Sequence, residues 1–255
     1  MDSFDRLTET VSVLMGENGC PWDRVQTHES LKPYMLEECY EVLDAIDNKD
    51  DTALCEELGD VLLQVVFHGL IAQKEGRFTL DDVADGADKK MIYRHPHIFS
   101  DKNAEVSAPF EKWEEIKKRE KGYQTKTEIM RSVAKTLPAL VRAQKVIKKS
   151  KVEKTEKIDN SFDLAQECLE NLKQSKNDNK QHKMEILGNL LMQILNISNF
   201  FEINAEFSLT NALETYITKL EDFENMSAAV GKTIEDTGLE EADVFVRSLM
   251  SKSSK

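Results

Sequence analysis

The chain has 255 residues, 40% hydrophobic and 32% charged, with a formal charge of −13 and a mean hydropathy of −0.49. That charge argues against a nucleic-acid surface, since phosphate backbones are held by clustered Lys and Arg, and no run reaches the ~18 apolar residues of a membrane span. With only 10 Gly and 5 Pro there is little room for the frequent turns of an all-β protein, so an all-α fold is expected.

In chain order, the opening MDSFDRLTET lacks an apolar signal core, and Cys20, Cys39, Cys55 and Cys168 show no CxxC spacing. Free thiols in a reducing cytoplasm are the expectation. Trp22, in the loop GCPWD (19–23), is expected to pack that loop against a helical bundle or to border a pocket. Residues ~30–47 carry Leu31, Met35, Cys39, Val42 and Ile46 at helical spacing, and the turn signal NKDD (48–51) stops them. A second helix over ~52–74 becomes apolar almost all round after Asp60 (VLLQVVFHGLIA), the pattern of a bundle centre or an oligomer interface. Within it His68 reads as a satisfied core histidine, and Cys39 and Cys55 read as small buried hydrophobes. Gly59 weakens its helix by ~1 kcal/mol relative to Ala, which suggests close approach of a neighbouring helix.

Thr79 with Asp82 has the form of a capping box for a helix ending near Pro96. His95-Pro96-His97 lacks the further ligands a zinc site needs. Another helix is expected from Pro109 to about Lys121, and one opening at Thr136-Leu137-Pro138, where Pro suits a first turn. The run KKSKVEKTEKIDN (148–160) reads as a solvated linker, followed by helices at 161–174 and 182–203. No strand pattern competes.

Sliding the sequence on itself by 129 positions gives a gapless match. Glu38-Cys39-x-Glu41 pairs with Glu167-Cys168-x-Glu170, Leu58-Gly59 with Leu187-Gly188, Gln64 with Gln193, and Phe78-x-Leu80 with Phe207-x-Leu209. Two tandem copies of one helical unit are expected: residues 1–125, a helical and Lys-rich connection over 126–160, and residues 161–255.

With Glu37 at 0° and about 100° per residue, Glu41 lies near 40° and Glu38 near 100°, while Val42, Met35, Ile46 and Cys39 fall at about 140–200°. Glu38 thus sits at the edge of the buried stripe. On the next helix Glu57 and Asp60 are again three apart, and Asp60 precedes the most hydrophobic run in the protein. Carboxylates facing a core repel one another unless a cation neutralises them. Oxygen-only ligands suit Mg²⁺ or Mn²⁺, which commonly bridge carboxylates to a substrate phosphate. A di-iron carboxylate bundle would need Glu-x-x-His pairs, and the chain has none. The bland alternative is a solvated acidic face.

EECYE (37–41) followed by ELGD (57–60) resembles the EExxE…ExxD signature of the MazG-type nucleoside triphosphate pyrophosphohydrolases. The flanks are similar too: GCPWD, QTHESLKPY (26–34), LLQVVFH (62–68), EGRF (75–78), RHPHIF (94–99), WEEIK (113–117) and LPALVRAQK (137–145). The resemblance implies an all-α, Mg²⁺-dependent enzyme that hydrolyses (d)NTPs to monophosphate and pyrophosphate, with a four-helix-bundle active site completed by homodimerisation. Carried over by position, Glu38, Glu41, Glu57 and Asp60 are its metal ligands, and Glu37 is a candidate for holding the attacking water. Lys90 and Arg94, one helical turn apart, are candidates for clamping phosphate oxygens. Trp113 and Lys117 resemble the family's base and phosphate contacts.

In the second copy Glu37 becomes Gln166, Glu57 becomes Ile186, Asp60 becomes Asn189 and Arg94 becomes Phe223. The packing positions survive, but of the four acids only Glu38 and Glu41 keep carboxylates, as Glu167 and Glu170, so activity is expected in the first half. Two alternatives stay open at this point: a non-catalytic nucleotide-binding or regulatory dimer, and a histidine-biosynthesis pyrophosphohydrolase of the same superfamily, which the tandem length disfavours.

Overall fold

A computed structural model describes residues 2–99, 113–150 and 158–229. Every regular element among them is helical: α1 (Ser3–Leu14), α2 (Lys32–Asn48), α3 (Asp51–Lys74), α4 (Leu80–Arg94), α5 (Pro96–Phe99), α6 (Trp113–Lys121), α7 (Lys126–Arg131), α8 (Ala139–Ser150), α9 (Ile158–Gln174), α10 (Lys180–Phe200) and α11 (Ala205–Ala229), with two 3₁₀ turns. The chain divides into two compact units, Met1–Lys117 and Lys118–Lys255. No single helix among the described residues is long and apolar enough to cross a membrane.

The first unit is built around the hairpin of α2 and α3. Pro33 in the first turn starts α2. Lys49, in the left-handed region at φ 56°, ends it. Asp50 then caps α3, its Oδ1 accepting from the Thr52 and Ala53 amides at 3.0 Å each. A connection this short makes the two helices antiparallel neighbours. Their far end is closed by α1 and α4: Val11, Leu31, Val66, Phe67, Ile71 and Leu80 form one core, with Leu7, Met15, Leu63, Val65 and Leu70 against it. The start of α1 carries its own capping box, Asp2 and Asp5 each bonding the other's amide. The Thr79–Asp82 box at α4 forms as expected.

The close helix approach expected at Gly59 occurs elsewhere in the unit. A Cβ at Gly59 would meet nothing within 4 Å, whereas one at Gly69 would lie 2.3 Å from Leu80 Cδ2, so α4 presses on α3 at Gly69. Cys39 and Cys55 are exposed rather than buried, because none of the unit's described elements covers that side of the hairpin; Ile46 is exposed for the same reason. His68 is half-buried and satisfied: Arg77 donates to His28 Nε2, which leaves His28 Nδ1–H to donate to His68 Nδ1 at 2.7 Å. Burial, then the neighbouring His28, holds His68 below the ordinary imidazole value.

In the second unit α9 and α10 pair as α2 and α3 do, and α8 packs across α10 and α11. Gln144 is its polar pin. It is buried, donates to the Ile203 carbonyl at 2.9 Å and accepts from the Ala205 amide at 2.9 Å, fixing α8 on the α10–α11 turn. Ile147, Leu195 and Ala205 form the adjoining core. Of the expected linker 148–160, residues 148–150 close α8 and 158–160 open α9; the remainder lies outside the described residues. The helix expected from Pro109 begins at Trp113 within the described residues.

Candidate metal centre

The two-residue α2–α3 turn sets Glu57 against Glu41 and Asp60 against Glu38. The electrostatics follow that register: apart from burial, the largest influence on Glu38 is the Asp60 charge, and on Glu57 the Glu41 charge. One carboxylate oxygen from each of Glu38, Glu41 and Glu57 lies within 4.8 Å of the others. Asp60, half-buried one turn further along α3, stands outside that trio but raises the proton affinity of both Glu38 and Glu57. Burial first, and the neighbouring carboxylates after it, hold Glu38 and Glu57 above the ordinary value. Among the described residues, no Lys or Arg forms an ion pair with Glu38, Glu41, Glu57 or Asp60.

Four acids that repel one another beside an apolar helix, with no basic partner, make a donor set for a hard cation. The residues fit a divalent metal ion: hard oxygen donors, clustered and uncompensated. Glu37 is exposed on α2, outside the trio. On α4 Lys90 is exposed, and Arg94 is buried at the C-terminal end. Lys117 is half-buried on α6, and the Trp113 side chain lies outside the described residues. Trp22 packs edge-to-face on Tyr34 of α2, ring centroids 5.7 Å apart, so its loop docks on the hairpin while the indole stays half exposed. His95, in the His-Pro-His stretch, donates from Nδ1 to the Met91 carbonyl at 2.7 Å at the end of α4. Gln64, read from the sequence only as a repeat position, proves to be a buried amide one turn past Asp60; polarity inside an apolar run was the signal for it.

Among the described residues, the second unit has no such arrangement. Ile186, at the position matching Glu57, is a buried core side chain, and the retained Glu170 accepts from the Gln166 amide at 3.2 Å.

The MazG nucleotide pyrophosphohydrolase domain profile matches residues 26–99, the stretch that contains all four acids. A Thermotoga maritima protein named nucleoside triphosphate pyrophosphohydrolase/pyrophosphatase MazG is 36% identical over 244 residues, covering 95% of this chain and 93% of its own. An Escherichia coli K12 protein named nucleoside triphosphate pyrophosphohydrolase is 36% identical over 248 residues, covering 94% of this chain and 93% of its own. A Bacillus subtilis protein named YabN is 39% identical over 245 residues, covering 94% of this chain and 50% of its own.

Proposed function

The chain belongs to the MazG nucleotide pyrophosphohydrolase family, and on that premise we propose how its first unit carries out the reaction. The enzyme hydrolyses nucleoside triphosphates to monophosphate and pyrophosphate. The observation that carries the reading is the uncompensated carboxylate trio of Glu38, Glu41 and Glu57, with Asp60 beside it.

Glu38, Glu41, Glu57 and Asp60 hold Mg²⁺, or Mn²⁺ in its place. When bound, the ion neutralises polyphosphate charge and makes a water molecule easier to deprotonate. Glu37, on the Glu41 side of α2, orients the attacking water and takes its proton. Lys90 and Arg94 hold the β- and γ-phosphate oxygens, Arg94 in the bidentate fashion a guanidinium allows. Trp113 and Lys117 contact base and phosphate. Water adds to the α-phosphorus as the bond to the β-phosphate oxygen breaks, so pyrophosphate leaves as a unit.

The second unit, residues 161–255 in repeat terms, is a degenerate copy that keeps the helical scaffold with only two of the four ligand positions, Glu167 and Glu170, still acidic. The protein works as a homodimer in the cytoplasm, and nucleic acid and membrane are not among its partners. Dimerisation is supported by the apolar side chains left exposed on the α2–α3 hairpin, Leu36, Tyr40, Leu58 and Leu62 among them.

Incubation of the purified protein with a panel of (d)NTPs and Mg²⁺, resolved by anion-exchange chromatography, tests the reading. Monophosphate and pyrophosphate in equal amounts are expected, with turnover abolished by EDTA. Accumulating diphosphate with free phosphate would replace it with a simple phosphatase.

A further inference from the structure

Gln64 sits on α3 one turn beyond Asp60 and two turns beyond Glu57. At about 100° per residue its direction falls within about 20° of Glu57, so it extends the stripe that meets α2 at the carboxylates. The α2–α3 register carried one turn further places it opposite Tyr34, the ring against which Trp22 packs. Gln64 is only 6% exposed, and its Oε1 is buried with no hydrogen-bond partner. A buried acceptor left unpaired is costly to the fold.

The second unit supplies the contrast. Its Gln193 stands 129 positions on, at the same place in the repeat, and there Oε1 accepts from Asn196 Nδ2 at 3.2 Å. The residue matching Asn196 in the first unit is Phe67, a core side chain with no donor. The copy with Ile186 and Asn189 in place of Glu57 and Asp60 therefore satisfies its glutamine internally, and the copy that keeps all four acids does not.

We propose that Gln64 is a substrate-positioning residue whose amide oxygen accepts a hydrogen bond from the nucleoside portion of the bound triphosphate. The inference rests on the pyrophosphohydrolase reading above. Its chemistry follows from what each part of the ligand offers. Ionised phosphates present only acceptors, as do Glu57 and Asp60 on the same stripe. The donors that match a buried carbonyl are a sugar hydroxyl or a base N–H. The half-exposed Trp22–Tyr34 pair, at the same level of the hairpin by register, provides an aromatic surface for a base.

Gln64→Met keeps the unbranched length and removes the acceptor. The full-length variant and wild type are compared in three measurements: KM and kcat over ribo- and deoxynucleoside triphosphates, binding of nucleoside monophosphates by calorimetry in EDTA, and Tm with light scattering. The expected result is a KM raised about tenfold with a smaller effect on kcat, a parallel loss of monophosphate affinity, and a Tm of the free protein unchanged or higher. A penalty that vanishes with 2′-deoxy substrates identifies a sugar hydroxyl as the donor; one that varies with the base identifies a base N–H. KM and monophosphate affinity within twofold of wild type would overturn the proposal, as would a lowered Tm accompanied by a change in oligomeric state, which would pair the amide within the protein. Should wild type turn over no triphosphate, the parent reading fails, and the monophosphate-binding comparison alone decides Gln64: no binding, or equal binding, overturns it.

Discussion

Glu57 carries two burdens that separate under mutation. It belongs to the carboxylate trio, and burial, with the neighbouring like charges after it, holds its proton affinity, and that of Glu38, above the ordinary value. A carboxylate whose folded pKa is raised helps the fold only while protonated; that help is lost as pH rises through the unfolded value toward the raised one. At neutral pH the metal-free cluster is therefore a liability. Glu57→Gln should raise Tm in EDTA and shrink the Mg²⁺-induced Tm shift, a pair of outcomes that calorimetry checks; a lowered Tm in EDTA would contradict the repulsion. In wild type the Mg²⁺ shift should be full at neutral pH and fade as the pH falls into the raised carboxylate range. Catalysis moves the other way. If Glu57 and Asp60 ligate the metal as proposed, loss of either should cost on the order of 10²-fold or more in rate, so Glu57→Gln and Asp60→Asn should nearly abolish turnover with helix content intact by circular dichroism. Glu170→Gln, in the copy without a carboxylate cluster, should leave kcat within about twofold. A dead Glu170 variant would place the active half wrongly.

The α3 helix shows how one element serves packing and chemistry in different turns. Its first three turns expose Gly59 and present the acids, and its last turns bury Val66, Phe67, Ile71 and Ala72. The two glycines make this testable. Gly69→Ala places a Cβ against Leu80, itself in the core, and should destabilise by roughly 1–3 kcal/mol through overpacking. Gly59→Ala has open space around it within the chain and should stabilise by up to ~1 kcal/mol through helix propensity. Urea unfolding of the two variants reads both signs; a stabilised Gly69 variant would mean that α4 does not press on α3 there. If instead Gly59→Ala destabilises, a second copy of the chain approaches at that turn.

At the scale of the molecule, the hairpin of the first unit leaves large apolar side chains in solvent: Leu36 is 58% exposed, Leu58 51% and Tyr40 48%. A monomer rarely keeps so many on one hairpin, and burying them against a second hairpin makes a four-helix bundle. Light scattering should accordingly give about twice the 29.1 kDa chain mass at micromolar concentration. Replacing Leu36 and Leu58 together by Lys should shift the protein toward monomer and lower activity with it. A fully active monomeric variant would detach the site from assembly.

What the sequence determined by itself were the features carried by local rules. Helix spacing, the Thr79–Asp82 box and the NKDD turn mark α2, α3 and α4 within a residue or two. The i,i+3 acids on consecutive helices mark the cluster, because a two-residue turn forces such helices together. Elements without those signals escaped: α7 is too short for a period, and α11 spreads its apolar residues around the helix rather than along one stripe. Burial was the other matter left to tertiary structure. Cys39, Cys55 and Ile46 lie on a helical apolar stripe yet stay exposed, since periodicity says which residues share a face and nothing about whether another element covers it. Likewise Gly59 and Gly69 are equivalent by composition, and only the packing of Leu80 distinguishes them. Gln64 is the same lesson in polar form: its place in the stripe is written in the spacing, but only the structure shows its oxygen without a partner, in a unit where Phe67 stands at the position that Asn196 takes in the second.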